Sequence, residues 1–139
     1  MSYDRRPKLQ RESDDPVARY LGALQAEVLG VFWERESATI RDVLGSLAPH
    51  RRLAYTTVLT IVTRLWSRGL LERQPEGRSF RYRAVKTREQ FLSELSDALI
   101  DRLLGDFGEI AVARLGDRLG RLDADQRRRL RRLAREKRP

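Results

Sequence analysis

The chain has 139 residues, 40% of them apolar and none of them cysteine, and a formal net charge of +9. This length suits either one domain of the usual size or a small domain with an accessory segment, and the lack of cysteine excludes disulfides, thiolate metal sites and thiol redox switches. No run approaches the roughly 18 apolar residues of a membrane span and no signal peptide is recognisable, so we expect a cytoplasmic protein with no membrane partner.

The first part of the chain predicts an arm followed by two short helices. Residues 1–18 are rich in polar and charged side chains, which predicts a disordered N-terminal arm. From Leu21 to about Glu34, apolar residues recur at the spacing of a helix. Thr39 stands three residues before Asp42, which is the arrangement of a capping box and predicts the start of a second helix.

The segment that begins at Tyr55 has one apolar and one polar face. On a helical wheel, the apolar arc contains Val58, Ile61, Val62, Leu65 and Trp66, and the opposite arc contains Thr56, Thr57, Thr60, Thr63, Arg64 and Ser67. Threonine is a mediocre helix former, but its hydroxyl and methyl groups suit base edges in a major groove. The pattern predicts a DNA-reading helix, and the alternative is a solvated face without a function.

A basic hairpin is predicted to follow this helix. Gly69 is placed for a left-handed helix end, and residues 74–77 supply the proline and glycine of a tight turn, with Arg78 at the tip. In the second strand, apolar side chains alternate with arginines; these are Phe80, Tyr82 and Ala84 on one face and Arg81 and Arg83 on the other. Helices and hairpin together predict a winged helix-turn-helix domain over residues 19–86.

The positive charge is concentrated in two blocks. Residues 51–83 carry eight basic and two acidic side chains, and residues 121–139 carry nine and three. The first block coincides with the reading helix and the hairpin, where DNA phosphates would have to be neutralised. Arginine outnumbers lysine 26 to 3, a bias that a GC-rich genome also produces, so part of the excess has an alternative origin.

Residues 87–139 predict a helical dimerisation region that ends in a basic tail. A first amphipathic helix is entered at Thr87, a second runs from about Phe107 to Leu122, and a third starts at Asp123, where Gln126 completes a cap. The apolar stripe of the first helix consists of Phe91, Leu92, Leu95, Leu99 and Leu103. We expect this stripe to join two subunits, and the alternative is that it folds back on its own core. The predicted fold is thus mainly α-helical with a small β-hairpin wing.

Four stretches of the chain resemble the penicillinase-repressor family, the BlaI, MecI and CopY type of winged-helix transcriptional repressor. They read LGALQAEVLGVFWE, TIRDVL, AYTTVLTIVTRLWSRGLLER and EGRSFRYRA, within about residues 20–86. The resemblance implies a homodimer that binds a palindromic operator in double-stranded DNA and controls β-lactam response genes. By matching position, it implies that Thr56, Thr57 and Thr60 face the bases and that Thr39, Tyr55, Arg64, Arg78, Arg81 and Arg83 face the phosphates.

Two departures from the family pattern concern the inducing signal. Copper-responsive members carry C-terminal cysteine pairs, which this chain lacks, so copper sensing by that route is excluded. Members inactivated by a sensor-linked protease resemble one another in an Asn-Phe scissile pair, where this chain reads Asp97-Ala98-Leu99. With a protease of this kind as the partner, the candidate cleavage stretch is residues 104–108, where two glycines interrupt the helical periodicity, and the alternative is that these glycines only join two helices.

The sequence contains no recognisable catalytic, cofactor or metal site. It has no phosphate-binding loop, no nucleophile with a neighbouring histidine and no ligand cluster, and its one histidine, His50, lies in a polar stretch. We therefore expect no enzyme, no cofactor and no metal. The alternative to a repressor is an RNA-associated or scaffolding winged-helix protein that does not bind a specific DNA sequence.

Overall fold

A computed structural model of the protein describes residues 15–49 and 51–136. In order, the elements are helices α1 (Pro16–Leu21), α2 (Ala23–Glu34), α3 (Ile40–Leu47) and α4 (Tyr55–Ser67), strands β1 (Leu71–Glu76) and β2 (Ser79–Ala84), and helices α5 (Arg88–Phe107), α6 (Glu109–Gly120) and α7 (Ala124–Glu136). The predicted fold class, mainly helical with a hairpin wing, is confirmed. The chain divides into two compact units between Glu94 and Leu95, inside α5.

The chain becomes helical earlier than the sequence predicts. The Asp15 carboxylate accepts a hydrogen bond from the Val17 N–H at 3.1 Å and caps α1, while Pro16 occupies the first turn. The side chain of Val17 is buried and anchors this helix. The end of the predicted disordered arm over residues 1–18 is therefore wrong, and residues 1–14 lie outside the described residues.

Gly22 separates α1 from α2. Its φ of +96° is a conformation that residues with a Cβ rarely adopt, so the helix breaks there. The helix predicted from Leu21 to about Glu34 corresponds to α2, which begins two residues later, at Ala23. The buried face of α2 packs against α3, α4 and β2. The core of this unit includes the buried side chains Val28, Leu29, Val43, Val58, Val62, Leu65 and Tyr82.

Helix α3 begins with the capping box that the sequence predicts. The Thr39 Oγ1 accepts from the Asp42 N–H at 3.2 Å, and the Asp42 carboxylate accepts from the Thr39 N–H at 2.9 Å. The bond from the Thr39 N–H lowers the pKa of Asp42, and partial burial opposes it. The two reciprocal bonds fix where α3 starts.

The hairpin turns later than predicted. Glu76 pairs with Ser79, so that Gly77 and Arg78 form a two-residue loop. Gly77 has a φ of +60° and Arg78 does not have a positive φ, which is the pattern of a type II′ turn. The twist of this turn matches the right-handed twist of the flanking strands, so the pairing continues up to the loop.

Pro75, which the sequence places in the turn, lies in β1 opposite Phe80. A proline cannot donate to a strand ladder, but β1 is an edge strand, where this causes no loss. On the other side of β2, Ala38 forms a bridge with Tyr82 through two hydrogen bonds of 2.9 Å. That bridge holds the wing against the loop between α2 and α3.

The start of α5 belongs to the first unit. Phe91 is buried, and its ring centroid lies 6.4 Å from that of Tyr20 and 5.9 Å from that of Trp33. The Trp33 Nε1 also donates to the Lys86 carbonyl at 3.0 Å. Phe91 is therefore part of the winged-helix core rather than of a dimer stripe, and this unit extends beyond the predicted boundary at residue 86.

The second unit leaves most of its large apolar side chains uncovered. The exposed ones in residues 95–136 are Leu99, Ile100, Leu103, Leu104, Phe107, Ile110, Val112, Leu115, Leu119, Leu130 and Leu133. Of the predicted stripe, Leu99 and Leu103 are exposed, while Leu92 and Leu95 are half-buried. Several large apolar side chains left exposed on one small unit are typical of an interaction site. None of the described helices has the length and apolar character needed to cross a membrane.

Residues 104–108 interrupt the helix over fewer residues than the sequence predicts. Gly105 lies within α5, and the helix continues to Phe107. Only Gly108, with a φ of +57°, separates α5 from α6. Because four of these five residues are helical, the backbone there is less accessible to a protease than the two glycines suggest.

The start of α7 agrees with prediction, since the Gln126 N–H donates to the Asp123 carboxylate at 2.8 Å.

We expect Phe91→Ala to lower the free energy of unfolding of the first unit by about 3 kcal/mol, because it removes a buried ring and leaves a cavity. Urea unfolding followed by tryptophan fluorescence measures this, since both tryptophans lie in that unit. The matched control is Val85→Ala in the same unit, at a residue that is 46% exposed. Equal unfolding midpoints for the two variants would contradict the role of Phe91.

Candidate nucleic-acid interface

Helix α4 turns a polar face away from the core. Val58, Ile61, Val62 and Leu65 are buried against α2, α3 and β1, and Thr56, Thr57, Thr60 and Arg64 are exposed. The wheel drawn from the sequence is wrong at Trp66, which is 36% exposed and lies at the edge of the buried face. The exposed surface therefore has uncharged threonines at its centre and is bordered by the guanidinium group of Arg64 and the ring of Trp66.

The hydroxyl group of Thr60 has a defined orientation. It donates to the Thr56 carbonyl at 2.9 Å, one turn earlier in α4. A threonine hydroxyl has one proton, so the group can offer only its lone pairs and its methyl to an outside partner. Such a side chain can accept from an adenine or cytosine amino group or pack against a thymine methyl. The backbone bond thus restricts which bases Thr60 can recognise.

The N-terminus of α4 has no side-chain cap. Ala54 occupies the capping position and has no polar side-chain atom, in contrast to Thr39 at α3. Tyr55 is partly exposed there, and the Arg41 guanidinium carbon lies 5.6 Å from its ring centroid. Uncapped N–H groups beside a cation form a surface that favours an anion such as a phosphate. Sequence reasoning missed Arg41, because only the packing of α3 on α4 brings it to Tyr55.

The wing arginines of β2 are already engaged by carboxylates. The Nε and Nη2 of Arg81 donate to the two carboxylate oxygens of Glu76 at 3.0 and 3.1 Å, and its Nη1 donates to the Ser37 hydroxyl at 3.2 Å. Arg83 pairs with Glu72. A phosphate that approaches either arginine has to compete with these carboxylates. Both arginines thus stabilise the hairpin in the isolated chain.

Arg78 and Arg64 are placed differently. Arg78 projects from the turn of the hairpin and Arg64 from the exposed face of α4, and both are exposed. Within residues 15–49 and 51–136, neither forms an ion pair with a carboxylate. Their full charge is available to an external anion.

Arg73 connects the wing to the end of α4. Its guanidinium carbon lies 3.6 Å from the ring centroid of Trp66 and 3.9 Å from that of Phe80. A cation held between two aromatic faces is attracted by the negative potential of both rings. Sequence reasoning missed this arrangement, because it depends on a strand register that places Arg73 opposite Tyr82 and diagonal to Phe80.

The described residues contain no group of three or more histidine, cysteine, aspartate or glutamate side chains that could hold a metal ion. The polar side chains that the fold brings together are threonines, arginines and arginine–carboxylate pairs. This donor set suits hydrogen bonding and charge pairing with a polyanion. The arrangement of a polar helix face beside a cationic hairpin defines a winged-helix DNA-binding domain.

Sequence comparison places this domain in a family. The model of a family described as penicillinase repressor matches residues 21–136, which is most of the chain. The protein belongs to this family, whose members are transcriptional repressors rather than enzymes. The resemblance inferred from the sequence is thereby confirmed, and the match includes the C-terminal helices.

Two relatives and one solved structure are similar to this chain. The chain is 34% identical to the transcriptional regulator BlaI of Mycobacterium tuberculosis over 111 residues, which cover 78% of this chain and 80% of that protein. It is 21% identical to the methicillin resistance regulatory protein MecI of Mammaliicoccus sciuri over 97 residues, 64% of this chain and 79% of the relative. The solution structure of the DNA-binding domain of the repressor BlaI aligns with a TM-score of 0.43 and 28% identity, covering 46% of this chain and 78% of that one.

Replacing Arg73 by alanine is expected to release the wing from α4. Because the guanidinium group no longer stacks on either ring, we expect the stability to fall by about 1 kcal/mol and the emission of Trp66 to shift to longer wavelength. A Trp33→Phe background isolates the Trp66 signal. Arg68→Ala is the matched control, because it removes an equal charge from an exposed position next to the end of α4. If both changes leave the emission of Trp66 unaltered, the stacked arrangement does not exist in solution.

Proposed function

We propose that the protein represses transcription as a homodimer bound to a palindromic operator. In this proposal α4 lies in a major groove, with Thr56, Thr57 and Thr60 facing the bases. The backbone phosphates are contacted by Thr39, Tyr55, Arg64, Arg78, Arg81 and Arg83. The observation that carries the proposal is the uncharged, hydrogen-bonding face of α4 between exposed cations, since base edges are read by such groups and phosphates by positive charge.

The phosphate contacts fall into two groups by their availability. Arg64 and Arg78 can pair with phosphates without breaking an ion pair within the described residues. Arg81 and Arg83 can do so only by exchanging Glu76 and Glu72 for phosphate, so we assign them a smaller share of the affinity. The Thr39 hydroxyl already accepts one bond from Asp42 and retains its proton for a phosphate oxygen.

The second unit supports the homodimer. Its uncovered apolar side chains include Ile110, which is 70% exposed, and Leu99. We expect the partner of such a surface to be a second copy of the same surface, because soluble oligomers are mostly symmetric homodimers. A two-fold axis relating two reading helices then requires an operator whose half-sites are related in the same way.

The proposal also includes the regulated genes, the inducing signal and the cellular compartment. Control of β-lactam response genes, and inactivation by a sensor-linked protease, stay predictions that rest on the relatives. Because the proposed ligand is DNA, the proposed place of action is the cytoplasm. Footprinting of the purified protein on the promoter region of its own gene is the direct test of repressor function, and protection of one palindromic stretch is expected.

The defined orientation of Thr60 allows a sharp test of base reading. Thr60→Val keeps the methyl group and removes the lone pairs, and Thr60→Ser does the reverse. We expect one of them, but not both, to relax base preference at one position of each half-site, at a cost of about 1–3 kcal/mol. Binding-site selection from a random pool measures this. Arg78→Ala is the control, since removing a group that pairs with phosphate should weaken binding to all duplexes alike. Unchanged selection profiles for both Thr60 variants would argue against this reading face.

The dimer is tested by placing charge on the exposed apolar face. We expect Leu99→Glu combined with Leu103→Glu to give a monomer in sedimentation, because two desolvated carboxylates per subunit would oppose association. The monomer should keep its affinity for a single half-site and lose the gain that a second half-site provides by linkage. Asp97→Ala together with Asp101→Ala, also exposed on α5, serves as the control. A double glutamate variant that still dimerises would place the interface elsewhere.

A further inference from the structure

Helix α7 differs from the other helices of the second unit in its charge. Helix α5 carries two basic and five acidic side chains, and α6 carries two of each. Helix α7 carries six arginines against Asp125 and Glu136, within 13 residues. A codon bias toward arginine would act on all three helices alike, so it does not explain the concentration in α7.

The arginines of α7 leave only a narrow apolar strip. At 100° per residue, Leu130 and Leu133 share one arc, and Arg128, Arg132 and Arg135 form a ridge on the opposite side. We call these three residues the arginine ridge. All residues of α7 are exposed, and in the described part of the chain its one ion pair joins Arg128 to Asp125. Most of the positive charge of α7 therefore has no counterion among the described residues.

The chemistry of α7 favours a phosphate polymer over a lipid surface. A helix that lies in a membrane interface needs a broad apolar face, often with aromatic side chains, and α7 offers two leucines and no aromatic residue. Guanidinium groups, in contrast, form paired hydrogen bonds with phosphate oxygens and are more weakly hydrated than ammonium groups. Several of them on successive turns of a helix suit a ligand with repeated phosphates.

We propose that the arginine ridge binds the sugar-phosphate backbone of duplex DNA. The inference rests on the proposed function, because it takes the DNA held by the winged helix as the ligand. Neutralised phosphates release counterions, so the ridge adds affinity for any duplex and makes binding more dependent on salt. It leaves the preferred sequence unchanged, because phosphates carry no base identity.

The test uses the full-length protein with Arg128, Arg132 and Arg135 all changed to glutamine. Its affinity is measured by fluorescence anisotropy over a salt series, for a duplex that the wild-type protein selects from a random pool and for a scrambled duplex. We expect both affinities to fall by the same factor, roughly tenfold or more. The slope of log K against log salt should become shallower by about 0.9 for each phosphate that is no longer neutralised.

Two further variants show whether a loss of affinity comes from the arginine ridge itself, from the change in total charge or from misfolding. Changing Arg102, Arg114 and Arg118 to glutamine removes an equal charge from exposed positions of α5 and α6 and should have little effect. Changing the three residues of the arginine ridge to lysine keeps the charge and should retain most of the affinity. Circular dichroism and sedimentation of all variants show whether the helices and the oligomeric state are preserved.

The outcomes distinguish this inference from the proposed function. Equal affinities and slopes for the two glutamine variants would overturn the role of the arginine ridge. A loss of binding that appears only with single-stranded RNA, or only with phosphatidylserine vesicles, would assign the ridge to another ligand and overturn it as well. The proposed function fails in a different way, with selected and scrambled duplexes bound equally by the wild-type protein.

Discussion

The orientation of α4 depends on the burial of its apolar stripe. Val58, Val62 and Leu65 are fully buried, and each loses roughly 1.5–3 kcal/mol if it is turned out to water. Rotating α4 about its axis would expose these side chains and bury threonines without partners. The same packing that stabilises the first unit therefore determines which residues face outward. The proposed base contacts are a consequence of the core.

The start of α5 is held in the first unit by aromatic packing. Helix α5 begins in the winged helix, where Phe91 contacts Tyr20 and Trp33, and it continues without a loop past the division at Glu94. The burial of Phe91 therefore makes the start of α5 part of the first unit.

The arginines of this protein differ in whether a carboxylate is paired with them. Where arginines stabilise the wing, carboxylates accompany them, as Glu76 accompanies Arg81 and Glu72 accompanies Arg83. At the turn of the hairpin and along α7, most arginines have no such partner among the described residues. Paired arginines maintain the shape of the hairpin at little cost in solvation, while unpaired ones retain their attraction for a polyanion. Counting positive charge from the sequence does not separate these two roles.

Local patterns in the sequence were sufficient for the starts of α3 and α7 and for the end of α4, but not for α1. The capping residues Thr39 and Asp123, the apolar spacing of α4 and the position of Gly69 act over a few residues, and the structure agrees with each of them. The family could also be recognised, because the strings that carry it are contiguous. These features depend on hydrogen bonds and periodicities between near neighbours in the chain.

The tertiary structure decided the contacts between residues that are distant in sequence. Phe91 has the same spacing as Leu95 and Leu99, yet it lies in the core, because Trp33 and Tyr20 are brought to it from 58 and 71 residues earlier in the chain. The position of Arg73 between Trp66 and Phe80 needs both the strand register and the end of α4. Periodicity shows which side of a helix is apolar, but not what covers it, since that depends on long-range packing.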